Sequence, residues 1–160
     1  MRSFYIASLL AFIAPSAFSA SPVASIVAAG LCEQPKVTER YAQPQSTAGY
    51  ATLGELIITK KTDVIPLQKD ISFGFSWRAE GLPKNVQVMY VIDHPPITRP
   101  DGKRMESFQE PMAHESVNGV LETTDCYSLS EEHELVPGNW SITIMHDGAP
   151  LVKHTFRITR

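Results

Sequence analysis

Residues 140–158 decide the fold, and their sequence is WSITIMHDGAPLVKHTFRI. Apolar and polar residues alternate on both sides of the central Asp147-Gly148 pair, and a period of two is typical of strands that bury one face. Gly148 suits a tight turn because glycine adopts positive φ at no steric cost. The stretch therefore predicts a β-hairpin with one apolar face, formed by Trp140, Ile142, Ile144, Val152, Phe156 and Ile158.

The register of this hairpin depends on its turn. A three-residue loop with Gly148 in the left-handed position pairs Met145 with Ala149 and Trp140 with His154. This register keeps the apolar residues of both strands on one face, whereas a two-residue loop at the same place would divide them between opposite faces. We therefore predict the three-residue loop, with His154 at the edge of the core.

Alternation also occurs in the middle of the chain. Phe73, Phe75 and Trp77 share one face of a predicted strand, and residues 86–92 form a second alternating run. We expect the sequence His94-Pro95-Pro96 to end that run, because proline lacks the ladder donor and restricts the residue before it.

The remaining segments are less regular. Residues 33–52 are rich in Pro, Gln, Ser and Gly, which predicts a long loop. Weaker strands are predicted at residues 23–32, 53–60 and 117–129. The total of about seven short strands indicates an antiparallel β-sandwich in which the Phe73 and Trp140 faces pack together. An eight-stranded barrel is the alternative.

Three motifs follow one another along the chain: FGFSWR at residues 73–78, HPP at residues 94–96 and LVPGNW at residues 135–140. In this order they resemble a family of exported bacterial immunoglobulin-like domains of unknown function. The resemblance spans about residues 54–159. It implies an immunoglobulin-like sandwich in the bacterial cell envelope, and it brings no catalytic residue with it.

The N-terminus has the three parts of an export signal. Arg2 precedes an apolar run over residues 4–14, which is too short to span a bilayer as a mature helix, and small residues follow. Cleavage after Ser19 places Ala17 and Ser19 in the two small-residue subsites. We therefore expect residues 1–19 to be a signal peptide and residues 20–160 to be one domain, periplasmic or secreted.

The composition is typical of a folded globular domain. Of the 160 residues, 43% are hydrophobic and 19% are charged, and the net charge of -3 becomes -4 once Arg2 is removed. Nucleic acid is not expected as a partner, because phosphate binding needs an excess of Lys and Arg. No second apolar segment approaches the length of a membrane span. We expect another envelope protein or a small ligand as the partner.

The chain contains two cysteines, Cys32 and Cys126. An even number of cysteines in an exported chain predicts a disulfide, with two buried free thiols as the alternative. The pair does not form a Cys-x-x-Cys motif, so redox catalysis is disfavoured and a structural bridge is preferred.

The densest cationic cluster follows the His-Pro-Pro motif. The segment is stiffened by prolines and carries His94, Arg99, Asp101, Lys103 and Arg104. Loops on a rigid scaffold often carry function. A small anion near Arg99 and Arg104 is the candidate ligand of this predicted binding loop. A rigid connector in which His94 caps the turn is the alternative, and it is favoured.

Zinc or copper binding is the alternative function. Its candidate ligands are His94, His114, His133 and His146, but their spacing matches no metal-binding motif. His133 lies within the acidic residues 131–134, which we interpret as a solvated loop before the hairpin. No metal or other cofactor is therefore predicted.

The common catalytic motifs are missing from the sequence. It contains no Gly-x-Ser-x-Gly, no phosphate-binding glycine loop and no His-Glu-x-x-His. Trp77 and Trp140 would suit sugar stacking if exposed, but their apolar faces predict core packing. The sequence favours a non-enzymatic exported binding or adaptor module, ahead of metal binding and of a hydrolase with residues from distant loops.

Overall fold

Within residues 21–160, nine β-strands form two sheets that pack face to face. The computed structural model describes residues 21–160, so the predicted signal peptide lies outside the described residues. The strands are β1 (Val23–Ala42), β2 (Tyr50–Lys61), β3 (Val64–Pro66), β4 (Ile71–Glu80), β5 (Asn85–Thr98), β6 (Arg104–Glu115), β7 (Val120–Leu129), β8 (Gly138–His146) and β9 (Ala149–Thr159). One sheet has the order β2-β1-β4-β7 and the other the order β3-β9-β8-β5-β6. The all-β sandwich is confirmed, with two more strands than the expected seven.

The core forms between the two faces that the sequence singles out. The side chains of Phe73 and Trp77 on β4, and those of Trp140 and Phe156 on β8 and β9, are fully buried. The Phe73 ring lies 5.1 Å from the Phe156 ring and 6.0 Å from the Trp140 ring, centroid to centroid, in edge-on geometry. Burying each such side chain contributes about 1.5–3 kcal/mol. Core packing of both tryptophans is therefore confirmed.

The C-terminal hairpin has the predicted faces but not the predicted register. Trp140 pairs with Phe156 rather than with His154, because the turn is the two-residue loop that the sequence argument rejected. Asp147 and Gly148 both have positive φ, which suits such a turn. The pairing of the two strands then shifts by one residue between Met145 and Ile144. Because of this shift, the apolar residues of both strands still share one face.

Strand β5 does not end at the His-Pro-Pro motif, so that prediction is wrong. The pairing with β6 shifts between Asp93 and Ile97, and the residues between them have no partner in the ladder. The prolines therefore remove no ladder hydrogen bond. The sequence does not predict strand β6, because its inward-facing positions include Glu110 and His114. These polar residues interrupt the apolar alternation that would indicate a strand.

The predicted loop over residues 33–52 is also wrong, because most of it forms a long β1–β2 hairpin. Strand β1 pairs with β4 over its first half and with β2 over its second half. Three register shifts in the β1–β2 ladder break the alternation that would have revealed these strands. Only residues 43–49 form a loop, called the tip loop below.

A disulfide joins Cys32 of β1 to Cys126 of β7, which confirms the predicted bridge. These two strands flank β4, and Gly74 of β4 pairs with Cys126. A Cβ atom at Gly74 would lie 2.0 Å from the Asp125 carbonyl oxygen. The glycine of the Phe-Gly-Phe motif therefore allows β7 to approach β4 closely beside the bridge.

The part of the chain that the structure describes, residues 21–160, contains no helix of the length and apolar character that crossing a membrane requires. The one helical turn in these described residues is a 3-10 helix at Glu132–Glu134, between β7 and β8.

Candidate functional site

A cavity of about 610 Å³ lies at one side of the sandwich and is partly open to solvent. Its walls come from β5, β6, β7 and the β1–β2 hairpin. Strands β6 and β7 are edge strands of different sheets, and within residues 21–160 no further strand pairs with their free edges. We call this space the side cavity, and its polar wall carries Tyr90, Glu110, His114 and Asp125.

Asp125 is a buried carboxylate on the core-facing side of β7. It is 5% exposed, and its Oδ2 atom accepts a hydrogen bond of 2.6 Å from the Trp77 indole Nε1. Burial raises the pKa of the Asp125 carboxyl, and the Trp77 hydrogen bond and the nearby His114 oppose that change. Burial in this wall therefore disfavours the charged form of Asp125 relative to the neutral form.

Two further polar atoms of this wall have no hydrogen-bond partner within residues 21–160. They are the Tyr90 hydroxyl and His114 Nε2, and both are buried. The Tyr90 side chain lies across from Glu110 in the β5–β6 ladder, and burial raises the pKa of the Tyr90 phenol well above its usual value, with further contributions from the Asp125 and Glu110 charges. An unpaired buried polar group costs about 1–3 kcal/mol, so this wall is less stable than an apolar one would be.

The opposite side of the cavity is apolar and aromatic. Val37 and Leu53 line it from the β1–β2 hairpin and remain 53% and 48% exposed. The Arg40 guanidinium lies over the Tyr50 ring, 3.5 Å from its centroid. The hydroxyl of Tyr41 donates a hydrogen bond of 3.1 Å to Glu110 Oε1, which joins the hairpin to β6.

The tip loop is attached to the sandwich through a buried carboxylate. Glu134 is 0% exposed; its Oε1 atom accepts hydrogen bonds from the Thr47 and Tyr127 hydroxyls, and its Oε2 atom accepts bonds from two backbone amides after β7. His133 Nε2 contacts the Thr47 carbonyl oxygen at 2.8 Å. The interpretation of residues 131–134 as a solvated loop is therefore wrong for Glu134.

The predicted binding loop does not form one cluster. The Arg99 guanidinium donates hydrogen bonds of 2.7 and 2.8 Å to the carbonyls of Pro44 and Ser46, is paired with Asp101, and is 17% exposed. Arg99 therefore holds the tip loop in place.

The other members of that predicted loop lie apart. Arg104 is exposed and paired with Glu106. Lys103 and Arg104 line a shallow groove beside β6, of about 640 Å³. His94 lies in β5 and is buried, with its ring centroid 5.0 Å from that of Trp140. It therefore does not cap a turn.

The four candidate metal ligands are also separated. His133 contacts the Thr47 carbonyl, His146 Nδ1 contacts the Gln87 carbonyl, and His94 Nδ1 contacts its neighbour Pro95. Across residues 21–160, no group of three or more His, Cys, Asp and Glu side chains is placed to hold a metal ion. Only His114 belongs to the side cavity.

Sequence reasoning missed Tyr90 and Asp125 as site residues, although one pattern points to Asp125. Along the predicted strand of residues 117–129, the core-facing positions are Leu121, Asp125, Tyr127 and Leu129, with Thr123 between them. A carboxylate at a core-facing position is uncommon and marks a candidate site. Tyr90 gives no such indication, because tyrosine is an ordinary core residue.

The two-sheet architecture is similar to that of a solved immunoglobulin-like protein from Pseudomonas aeruginosa. The two chains share 17% identity with a TM-score of 0.63, over 89% of this chain and 99% of that one. Identity this low establishes the fold alone, so the class is an immunoglobulin-like β-sandwich. Residues 20–158 match the model of DUF3859, a domain of unknown function, and the chain belongs to this family. The resemblance drawn from the three motifs is thereby confirmed.

A second solved structure is only partly similar. It is an alkylpurine DNA glycosylase, AlkC, from Pseudomonas fluorescens bound to DNA with an abasic site analog, at 16% identity and a TM-score of 0.39, over 61% of this chain and 28% of that one. A similarity of this extent carries no argument about function. No curated protein matches the chain.

Proposed function

We propose that this protein is an exported, non-enzymatic binding module of the bacterial envelope and that it binds a small ligand in the side cavity. The volume of about 610 Å³ is in the range of small-molecule sites. Its combination of an apolar side with a few buried polar groups is typical of such sites.

One observation carries the proposal: the Tyr90 side chain lines the cavity, and its buried hydroxyl has no hydrogen-bond partner within the described residues. A phenylalanine at this position would pack equally well without that cost. A ligand that bonds to the hydroxyl explains why a polar group is present there. The unpaired Nε2 atom of His114 on the same wall supports the same conclusion.

Export is supported by two independent features. The first is the predicted signal peptide of residues 1–19. The second is the Cys32–Cys126 disulfide, because such bridges persist in oxidising compartments. The P. aeruginosa neighbour is consistent with a bacterial protein, and the periplasm is the compartment we propose.

A fragment screen tests the binding role. We would record amide NMR spectra of oxidised residues 20–160 with mixtures of small amines, acids, alcohols and sugars, and repeat any titration with Tyr90→Phe. Binding should shift resonances of β5, β6 and β7, and the variant should bind about 5-fold more weakly or worse.

Ser141→Ala is the matched control, because the Ser141 hydroxyl bonds to Thr155 on the outer face of the hairpin. It should bind like the wild type. A screen in which no compound shifts those resonances, or in which both variants bind equally, would overturn the binding role.

A further inference from the structure

The charges around the side cavity are mostly negative. Asp70, Glu110 and Asp125 line it, against Arg40 as the one permanently cationic lining residue within the described part of the chain. Arg40 is already placed over the Tyr50 ring. Neither Glu110 nor Asp125 forms an ion pair with any residue in 21–160. Within the described residues, the carboxyl groups that line the cavity therefore outnumber its permanent cations and form no ion pair.

The unpaired atoms of the wall offer hydrogen-bond acceptors. The Asp125 carboxylate has acceptor capacity beyond its one bond to Trp77, and the Tyr90 hydroxyl oxygen can accept as well. His114 Nε2 lies on the same wall and is also without a partner within the described residues. An ammonium group has three donors and no acceptor, so its requirements match this set.

The rest of the cavity fits an apolar body. Val37 and Leu53 are exposed on the hairpin side, and the rings of Tyr41 and Phe108 line the same space. Aromatic faces also attract cations, which adds to the preference set by the carboxylates.

We infer that the side cavity binds a cationic amine with an apolar or aromatic body, its ammonium group directed to Asp125 and Tyr90. This inference rests on the proposed binding role and gives it a chemical class. An anionic ligand of the same shape is disfavoured, because it would meet Asp125 and Glu110, whereas the one permanent cation lining the cavity within the described residues, Arg40, lies over the Tyr50 ring of the hairpin.

Three probes of nearly equal size test the inference on the wild-type protein. They are phenethylamine, phenethyl alcohol and hydrocinnamate, which carry the same aromatic body with a cationic, a neutral and an anionic end. Isothermal titration at pH 7 should show the amine binding about 10-fold or more tightly than either of the others, since hydrogen bonds between charged groups are stronger than those between neutral groups.

Asp125→Asn should weaken amine binding about 10-fold or more. Asparagine keeps an oxygen acceptor for the Trp77 indole, so the fold is retained. Glu122→Gln is the matched control, because Glu122 lies on the same strand, is exposed and pairs with Arg78. It should leave amine affinity unchanged.

Equal binding of the three probes, a preference for the carboxylate, no binding of the amine, or equal effects of the two substitutions would each overturn the amine preference. The fragment screen with Tyr90→Phe is independent of these results. If that screen identifies a neutral or anionic ligand, the binding role stands and the amine inference fails.

Discussion

The centre and the side of this sandwich belong to the same two sheets but differ in chemistry. At the centre, the faces of β4 and of the β8–β9 hairpin are apolar and fully buried, with Phe73 in contact with the Trp140 and Phe156 rings. At the side, β6 and β7 place Glu110, His114 and Asp125 around a cavity. The two sheets therefore pack tightly against each other at the centre and leave a cavity between them at one edge.

The contrast indicates which region serves stability and which serves binding. Apolar packing stabilises the centre, whereas the unpaired Tyr90 hydroxyl and the buried Asp125 carboxylate lower stability at the side. Residues that oppose stability are expected at functional sites, where a ligand supplies the missing contacts. Substitutions in the two regions should consequently change the free energy of unfolding in opposite directions.

The largest expected effect is in the centre. Trp140→Ala should lower the free energy of unfolding by about 3–5 kcal/mol, because it leaves a cavity among buried rings. Urea denaturation measures the change, with Ser141→Ala on the opposite face as the control within about 0.5 kcal/mol. A loss below about 1 kcal/mol for Trp140→Ala would mean that the centre is not packed as described.

The disulfide should have the next largest effect. Replacing Cys32 and Cys126 with serine should destabilise the domain by about 2–4 kcal/mol, since the bridge restricts the unfolded chain across a separation of 94 residues. Reducing the wild type should reproduce the change. If the reduced and oxidised proteins unfold at the same urea concentration, the bridge does not contribute to the fold.

The same division explains what the sequence predicts. Around Phe73 and Trp140, the apolar alternation in the sequence matches the burial in the structure, so the core faces are predicted correctly. The predicted hairpin register is wrong, but the short turn and the register shift together leave the same residues on the core face. Around the side cavity, the strands lack the regular apolar alternation that would predict them. Register shifts break the period of β1 and β2, and β6 carries polar residues inward.

The attachment of the tip loop could not be predicted for a different reason. Arg99 and Glu134 are far from residues 43–49 in sequence, and their partners there are backbone carbonyls and the Thr47 hydroxyl. Such contacts depend on tertiary placement and leave no periodic pattern. Charged side chains in a polar segment are ordinarily solvent-exposed, so the sequence predicts a solvated loop for Glu134 and a binding loop or rigid connector for Arg99.

A smaller effect of opposite sign is expected at the cavity. Tyr90→Phe removes the unpaired hydroxyl and keeps the ring, so the ligand-free protein should gain about 1 kcal/mol or less. The change is measured by urea denaturation beside Trp140→Ala. A loss of more than about 1 kcal/mol would show that the hydroxyl has a partner in the ligand-free fold.

The most direct test is the free energy of unfolding of wild type and Asp125→Asn, measured without ligand from pH 4 to pH 7. Because burial raises the pKa of Asp125 in the folded state, the wild type should lose stability relative to the variant as the pH rises from the ordinary carboxyl pKa to the raised one. His114, Glu110 and Tyr90 face the same group and are present in both proteins. The account predicts that Asp125→Asn is the more stable protein at pH 7 and that the difference shrinks toward pH 4. A variant that is less stable than the wild type at pH 7 would contradict it.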